Sequence, residues 1–115
     1  MNDNCIFCKI AAGKFGGPPL YQDEDVTAFK DINPQAPTHI LIIPNKHIES
    51  VSHAAPEEQA LLGKLLMTAA AIAKEQGIDD NGYRLVLNKG VYGGQSVFHL
   101  HVHMLGGRRL TWPPG

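Results

Sequence analysis

The chain has 115 residues, of which 43% are hydrophobic and 18% are charged, and its formal net charge is -1. This composition predicts one globular domain over residues 1–115 and excludes a disordered chain. The charge gives no reason to expect nucleic acid or a membrane as a partner, and no apolar run approaches a membrane span. The polar N-terminus lacks the features of a signal peptide, so we expect a cytoplasmic protein.

The first half of the chain predicts a short helix, a hairpin and a buried strand. Residues 6–13 predict a helical turn that ends at Gly13. Segments 20–23 and 26–31 predict two strands that pair as a hairpin. The apolar run 38–44 follows a loop with two prolines and predicts a central strand covered on both faces.

The second half predicts the one long helix and two further strands. Pro56 is suited to begin a helix whose apolar stripe ends near Gly77. Residues 83–88 predict a strand, residues 90–96 a glycine-rich loop, and residues 98–105 a last strand. The order of elements indicates an α+β fold, with a mainly antiparallel five-stranded sheet, one long helix and a short N-terminal helix.

The last predicted strand alternates histidine with apolar residues. One face carries apolar side chains towards a core, and the other carries His99, His101 and His103. A single histidine on a strand is ordinarily explained by a face exposed to solvent. Three histidines in register on one face make that explanation unconvincing. One metal ion shared by all three is strained, because the outer two are about 13 Å apart at ~3.3 Å per residue. The three histidines are therefore expected to divide their roles.

The residues around the histidines indicate phosphate chemistry. A neutral imidazole attacks phosphorus without prior activation, and a neighbouring histidine can donate a proton. Gly93 and Gly94 would let backbone N–H groups approach an anion, and Ser96 supplies a hydroxyl for a leaving group. A glycine pair alone more often marks an ordinary turn. This pair indicates an anion site only because it lies beside the histidines.

The run from Gly93 to Leu105, with its His-φ-His-φ-His-φ-φ pattern in which φ is apolar, resembles the signature of the histidine triad superfamily. Three further parts resemble its Hint branch: the stretch Asp31 to His39, Asn88, and the ending that includes Trp112-Pro113-Pro114-Gly115. The resemblance covers nearly the whole chain. It implies hydrolysis of purine nucleoside 5′-phosphoramidates, with adenosine or guanosine, to a nucleoside monophosphate and an amine.

The resemblance also implies the roles of individual residues. His101 is similar to the family nucleophile, His103 to its phosphate-contacting partner, His39 to a further relay histidine, and Ser96 to the hydroxyl that contacts the leaving nitrogen. Asp31 resembles the carboxylate that holds the ribose. The remaining positions that match the substrate-binding residues form the purine slot or contact the phosphate and leaving group: Phe7, Ile10, Phe29, Ile32, Asn88, Gly94, Gln95, Val97 and Trp112.

The two cysteines form a Cys-x-x-Cys pair that, with two histidines, is a candidate tetrahedral zinc set: Cys5, Cys8, His47 and His99. Some superfamily members with such cysteines place zinc there, whereas many Hint-branch members lack them. Two reduced cysteines packed as small apolar residues are the alternative, and a redox pair is disfavoured because no βαβ pattern follows. Catalysis is expected to need no cofactor, and any zinc would be structural.

The sequence thus predicts a purine nucleoside phosphoramidase. By resemblance it forms a homodimer, in which the C-terminal tail packs near the partner subunit's active site. Two rivals remain open at this point. One is a dinucleoside polyphosphate hydrolase or nucleotidyltransferase, which shares the histidine nucleophile. The other is a non-catalytic nucleotide-binding scaffold that retains the pocket.

Overall fold

The computed structural model describes residues 4–115, and the strands in that range form one antiparallel sheet of order β1-β2-β3-β5-β4. Residues 1–3 lie outside the described part, so the domain range 1–115 stays a prediction. The α+β prediction, with five strands, one long helix and a short first helix, is confirmed. The elements are α1 (Ile6–Ala11), β1 (Tyr21–Gln22), β2 (Val26–Lys30), β3 (Thr38–Pro44), α2 (Gln59–Glu75), β4 (Tyr83–Val86), α3 (Gly90–Gly93) and β5 (Val102–Gly106).

The central strand β3 is buried on both faces, as its apolar run predicts. Ile40 and Ile42 point into the core beneath α2, while Leu41 and Ile43 point to the opposite face. This alternation follows from the two-residue repeat of a strand. Because β3 pairs with β2 on one side and β5 on the other, the sheet is assembled around it.

Helix α2 covers one face of the sheet with the apolar stripe that the sequence predicts. A 3₁₀ turn at Pro56–Glu58 leads into it, and the backbone N–H of Ala55 donates to Glu58 Oε1 at 2.7 Å. Its buried side chains pack on the sheet: Leu65, Ala69, Ile72 and Ala73. Within residues 4–115, no helix is both long and apolar enough to cross a membrane.

The histidine strand is shorter than predicted, because β5 begins only at Val102. If the ladder with β3 continued two residues beyond the pair of Ile42 and Val102, Leu100 would lie opposite Pro44. Proline has no N–H to donate, so regular pairing ends there. The Leu100 N–H instead donates to Ile48 O at 2.6 Å. The predicted alternation survives, because Leu100 belongs to the core beneath α2.

The glycine-rich loop also differs from its prediction, since Gly90–Gly93 forms the short helix α3. Gly94 ends it with a φ of 81°, in the left-handed region that favours glycine. The N–H groups of Gly94 and Gln95 close this turn by donating to Val91 O and Gly90 O. The backbone leading to Ser96 is therefore a defined turn.

Candidate active site

A cavity of about 760 Å³ opens on the face of the sheet that carries α1. All four predicted catalytic side chains line it: His39, Ser96, His101 and His103. They come from β3, from the segment after α3 and from β5 with the residues just before it. The sheet therefore brings together side chains that lie more than sixty positions apart in the chain.

His101 is buried and its tautomer is fixed. Its Nδ1 lies 2.7 Å from the carbonyl oxygen of His99, and because a carbonyl can only accept, Nδ1 must carry the proton. Nε2 is then left with its lone pair. Burial lowers the pKa of His101, so the ring is neutral near pH 7. The rings of Phe7 and His101 meet edge to face, with their centroids 5.1 Å apart. His101 is thus a neutral imidazole that is ready to act as a nucleophile.

Two consecutive hydrogen bonds, from the backbone to His39 and from His39 to His103, fix the orientation of both histidines. The backbone N–H of Gln35 donates to His39 Nδ1 at 3.0 Å, so the proton of His39 lies on Nε2. That Nε2 lies 2.9 Å from His103 Nδ1, which accepts from it. The proton of neutral His103 must then be on Nε2. Burial, reinforced by His101 and His39, lowers the pKa of His103 to about 4. The cavity thus combines one imidazole that accepts with one that donates.

Asp31 follows β2 and is held in place by its neighbours. Its Oδ1 accepts from the backbone N–H of Asn33 at 2.8 Å, and its Oδ2 lies 3.5 Å from His39 Nε2. Asp31 is half-buried and lines the cavity. A carboxylate has acceptor capacity for two hydroxyl groups beyond a single backbone contact, which suits the predicted ribose contact.

The apolar lining of the cavity includes five predicted positions, and the structure adds others. The rings of Phe7 and Phe29 meet edge to face, with centroids 5.5 Å apart. The predicted lining residues are Phe7, Ile10, Phe29, Ile32 and Val97, of which Ile32 is almost fully exposed. The additional ones are Ile6, Phe15, Leu20 and Leu41. Phe15 is the single aromatic residue of the Gly/Pro-rich segment 13–19, and this isolated position is the sequence signal that could have identified it as a lining residue.

Four predicted substrate contacts do not line this cavity: Asn88, Gly94, Gln95 and Trp112. Gln95 is buried, and its Oε1 accepts from the N–H of Gly90 while its Nε2 donates to Glu49 O at 2.8 Å. Its side chain thereby anchors the turn that leads to Ser96. Trp112 is exposed, with the Arg84 guanidinium 5.9 Å from its ring centroid. The substrate contacts of all four residues stay predictions.

The four predicted metal ligands converge next to this cavity. One ligand atom from each of Cys5, Cys8, His47 and His99 lies within 4.8 Å of the others. His99 Nδ1 is 3.2 Å from Cys5 Sγ and 3.5 Å from Cys8 Sγ, and His47 Nδ1 is 3.4 Å from Cys8 Sγ. Tetrahedral zinc, with bonds of about 2.3 Å to sulfur and about 2.0 Å to nitrogen, separates S and N ligands by about 3.5 Å. The cluster therefore has the dimensions of a zinc site.

The surroundings of the cluster match those of a metal site. His99 is fully buried, and its Nε2 donates to Pro44 O at 2.8 Å, which leaves the lone pair of Nδ1 directed at the sulfur atoms. Such a bond from the far ring nitrogen to a carbonyl is the usual support of a metal-bound histidine. Cys5 Sγ accepts from the N–H of Cys8 at 3.4 Å, and both cysteines are buried. The donor set thus fits zinc.

Comparison with known proteins identifies the family. Protein HitA of Neisseria gonorrhoeae is 52% identical over 104 residues, covering 90% of this chain and 96% of that protein. The purine nucleoside phosphoramidase of Escherichia coli K12 is 49% identical over 110 residues, covering 96% of this chain and 92% of that enzyme. A HIT family hydrolase from Legionella pneumophila superposes with a TM-score of 0.94 at 48% identity, covering 97% of this chain and 100% of that one. Residues 18–110 match the HIT domain. The chain therefore belongs to the HIT domain family, as its triad motif predicts.

Proposed function

We propose that this protein hydrolyses the P–N bond of purine nucleoside 5′-phosphoramidates to a nucleoside monophosphate and an amine. The observation that carries the proposal is buried, neutral His101, whose Nδ1 proton is committed to a backbone carbonyl while its Nε2 lone pair is free. The Escherichia coli relative, named a purine nucleoside phosphoramidase, supports the same reaction.

The reaction has two displacements at phosphorus. In the first, the lone pair of His101 Nε2 forms a bond to the α-phosphorus, and the bond between phosphorus and the amine nitrogen breaks. The amine nitrogen takes up a proton from water through the Ser96 hydroxyl as it leaves, because an unprotonated amide ion is a very poor leaving group. In the second, water attacks the phosphorus and releases one proton to the solvent, the bond between phosphorus and His101 Nε2 breaks, and the nucleoside monophosphate leaves with the added hydroxyl.

The neighbouring groups supply the hydrogen bonds that both steps need. The proton on Nε2 of His103 is suited to bind a phosphate oxygen, because His39 occupies the other ring nitrogen. The Ser96 hydroxyl lines the same cavity and is suited to contact the leaving nitrogen. Donors fixed before the reaction stabilise the charge that develops on phosphorus at little cost in reorganisation.

The substrate's nucleoside fits the remaining lining of the cavity. The aromatic and aliphatic side chains of Phe7, Ile10 and Phe29 form an apolar wall suited to the face of a purine. Asp31 is suited to accept hydrogen bonds from the ribose hydroxyls. We propose no preference between adenine and guanine.

We further propose that zinc is bound by Cys5, Cys8, His47 and His99. The closed set of two thiolates and two imidazoles leaves no position for substrate, so the ion would cross-link the chain without taking part in the reaction. Zinc content after purification in metal-free buffer tests this. Nearly one zinc per chain is expected, and a small fraction of one would overturn the site.

We also propose a homodimer. Among the strands of residues 4–115, β4 lies at one edge of the sheet, beside β5, and can pair with a second copy of itself. The exposed Trp112 in the C-terminal tail is available for contact with a partner. Light scattering in solution tests the oligomeric state, and a monomer would refute it.

Turnover of adenosine 5′-phosphoramidate, measured beside a diadenosine polyphosphate, tests the reaction. We expect faster cleavage of the phosphoramidate and its loss in His101→Ala, whereas His53→Ala, at an exposed histidine, retains activity. Faster cleavage of the diadenosine compound would favour a dinucleoside polyphosphate hydrolase. AMP binding without turnover of either compound would favour a nucleotide-binding scaffold.

A further inference from the structure

The loop between β2 and β3, residues 31–37, carries the backbone group that orients His39. The N–H of Gln35 donates to His39 Nδ1 at 3.0 Å, and the proton of His39 is therefore on Nε2. The base of the loop is closed by the bond from the Asp31 N–H to His39 O at 3.0 Å. Because the loop lies between the two strands, contacts other than the sheet ladder must hold the Gln35 N–H at His39.

This loop is held both from within and from outside. Within it, Asp31 Oδ1 accepts from the N–H of Asn33 at 2.8 Å, and Gln35 Nε2 donates to Asn33 O at 3.0 Å. From outside, Arg108 Nη2 donates to Gln35 O at 3.0 Å. Gln35 thus binds Arg108 through its carbonyl and His39 through its N–H. One loop residue therefore connects an exposed arginine to a buried histidine of the site.

The end of β5 brings Arg108 to the loop. Gly107 has a φ of 88°, and a Cβ at this position would lie 2.9 Å from Pro37 Cβ, so the two segments pass very close to each other. Arg108 Nη1 also donates to Arg109 O at 3.1 Å, which helps to fix the guanidinium. Ala36 of the loop is buried as well, so Arg108 adds to the other contacts of the loop and does not replace them.

The direction of the hydrogen bond between His39 and His103 depends on this arrangement. With its proton on Nε2, His39 donates to His103 Nδ1 at 2.9 Å, and neutral His103 carries its proton on Nε2. If the Gln35 N–H moves away, His39 can take the other tautomer and accept from His103 Nδ1. His103 would then present a lone pair, which repels an anion, in place of a donor. Asp31 Oδ2, 3.5 Å from His39 Nε2, favours the first arrangement, so losing the Gln35 contact shifts the tautomers only in part.

We propose that Arg108 is a positioning residue for the His39–His103 pair. By holding the Gln35 carbonyl, it keeps the Gln35 N–H on His39 Nδ1 and thereby keeps the Nε2 proton of His103 available to the phosphate. Arg108 does not line the cavity, so it acts through Gln35 and not on the substrate. The inference rests on the proposed phosphate contact of His103, and its first test involves no turnover.

Long-range ¹H–¹⁵N NMR of the histidine rings, at about pH 7.5 where both are neutral, reads their tautomers directly. In the parent, His39 and His103 should both carry the proton on Nε2. In Arg108→Ala, an Nδ1–H population on the order of a tenth or more should appear in both rings. Arg109→Ala is the matched control, because it removes an equal charge and leaves the carbonyl that Arg108 binds. Its rings should match those of the parent.

Kinetics give a second test with a different readout. Arg108→Ala should lower kcat for adenosine 5′-phosphoramidate roughly fivefold, the factor expected for one lost hydrogen bond, with KM changed by less than about twofold. In a His39→Asn background, the same substitution should lower kcat by less than about twofold, because the pair through which Arg108 acts is already altered. Arg109→Ala should keep both parental constants.

Parental tautomers in Arg108→Ala would overturn the inference, and so would an equal change in Arg109→Ala. A higher KM at constant kcat would also overturn it, because Arg108 would then act on the charge of the substrate. A tautomer change in a protein that cleaves no phosphoramidate would refute the proposed reaction and leave the role of Arg108 in place.

Discussion

Acid should destabilise this fold in part because His103 is kept neutral. Burial, reinforced by His101 and His39, lowers the pKa of His103 to about 4 from 6.5. Between these values the unfolded chain binds a proton that the folded protein does not. The free energy of unfolding therefore falls as the pH drops through this window. The stability that the folded protein gains with His103 neutral is fully present only above about pH 6.5. His103→Asn removes this titration and keeps an oxygen that can accept from His39.

The size of the effect follows from the two pKa values. At 1.36 kcal/mol per pKa unit, the whole difference corresponds to at most about 3.4 kcal/mol, of which about 2 kcal/mol is lost by about pH 5. His103 lines an open cavity, so solvent screening reduces its share to about 1 kcal/mol.

Urea unfolding at about pH 7.5 and about pH 5 measures this for the parent, His103→Asn and His53→Asn. His53 is exposed and serves as the matched control. The parent and the control should each lose about 1 kcal/mol more on acidification than His103→Asn does. An equal loss in the parent and His103→Asn would refute the account of His103 as a buried neutral group.

Three further substitutions test other parts of the structure. Phe15→Ala should raise KM for a purine phosphoramidate by roughly tenfold with a smaller change in kcat, because an aromatic wall of the cavity is lost; an unchanged KM would exclude Phe15 from the slot. His39→Asn should lower kcat by roughly tenfold, because the donor to His103 Nδ1 is altered, and a parental kcat would contradict the relay. Gly106→Ala would place a Cβ 2.7 Å from Ile78 Cδ1 and should cost about 1–3 kcal/mol in urea unfolding; parental stability would show that Ile78 moves freely.

Much of the fold follows from local patterns in the sequence. The stripe of α2 and the apolar run of β3 each predict an element whose bounds the structure matches closely. The start of β5 could not be predicted, because alternation continues from residue 98 while the ladder ends where Pro44 has no N–H to donate. Where a strand ends depends on its partner, which local sequence does not contain.

The site residues also divide into those that the sequence identifies and those that depend on the folded structure. His101 and His103 are recognisable from the triad motif and His39 from the stretch Asp31 to His39, and the structure brings them together. Phe15 was missed, because its position depends on the path of the Gly/Pro-rich segment across the cavity. Gln95 carries a motif position, yet its amide bonds the N–H of Gly90 and the carbonyl of Glu49, a use that only hydrogen-bond partners reveal.

The most direct test of the central claim is to trap the nucleotidyl intermediate. The protein is mixed with adenosine 5′-phosphoramidate, quenched rapidly under conditions that preserve a phosphorus–nitrogen bond, and analysed by mass spectrometry of the intact chain and its peptides. The account predicts one adenylyl group per chain, located on His101, and none in His101→Ala. An adduct on His99 or His103, or turnover by His101→Ala at the parental rate, would contradict it.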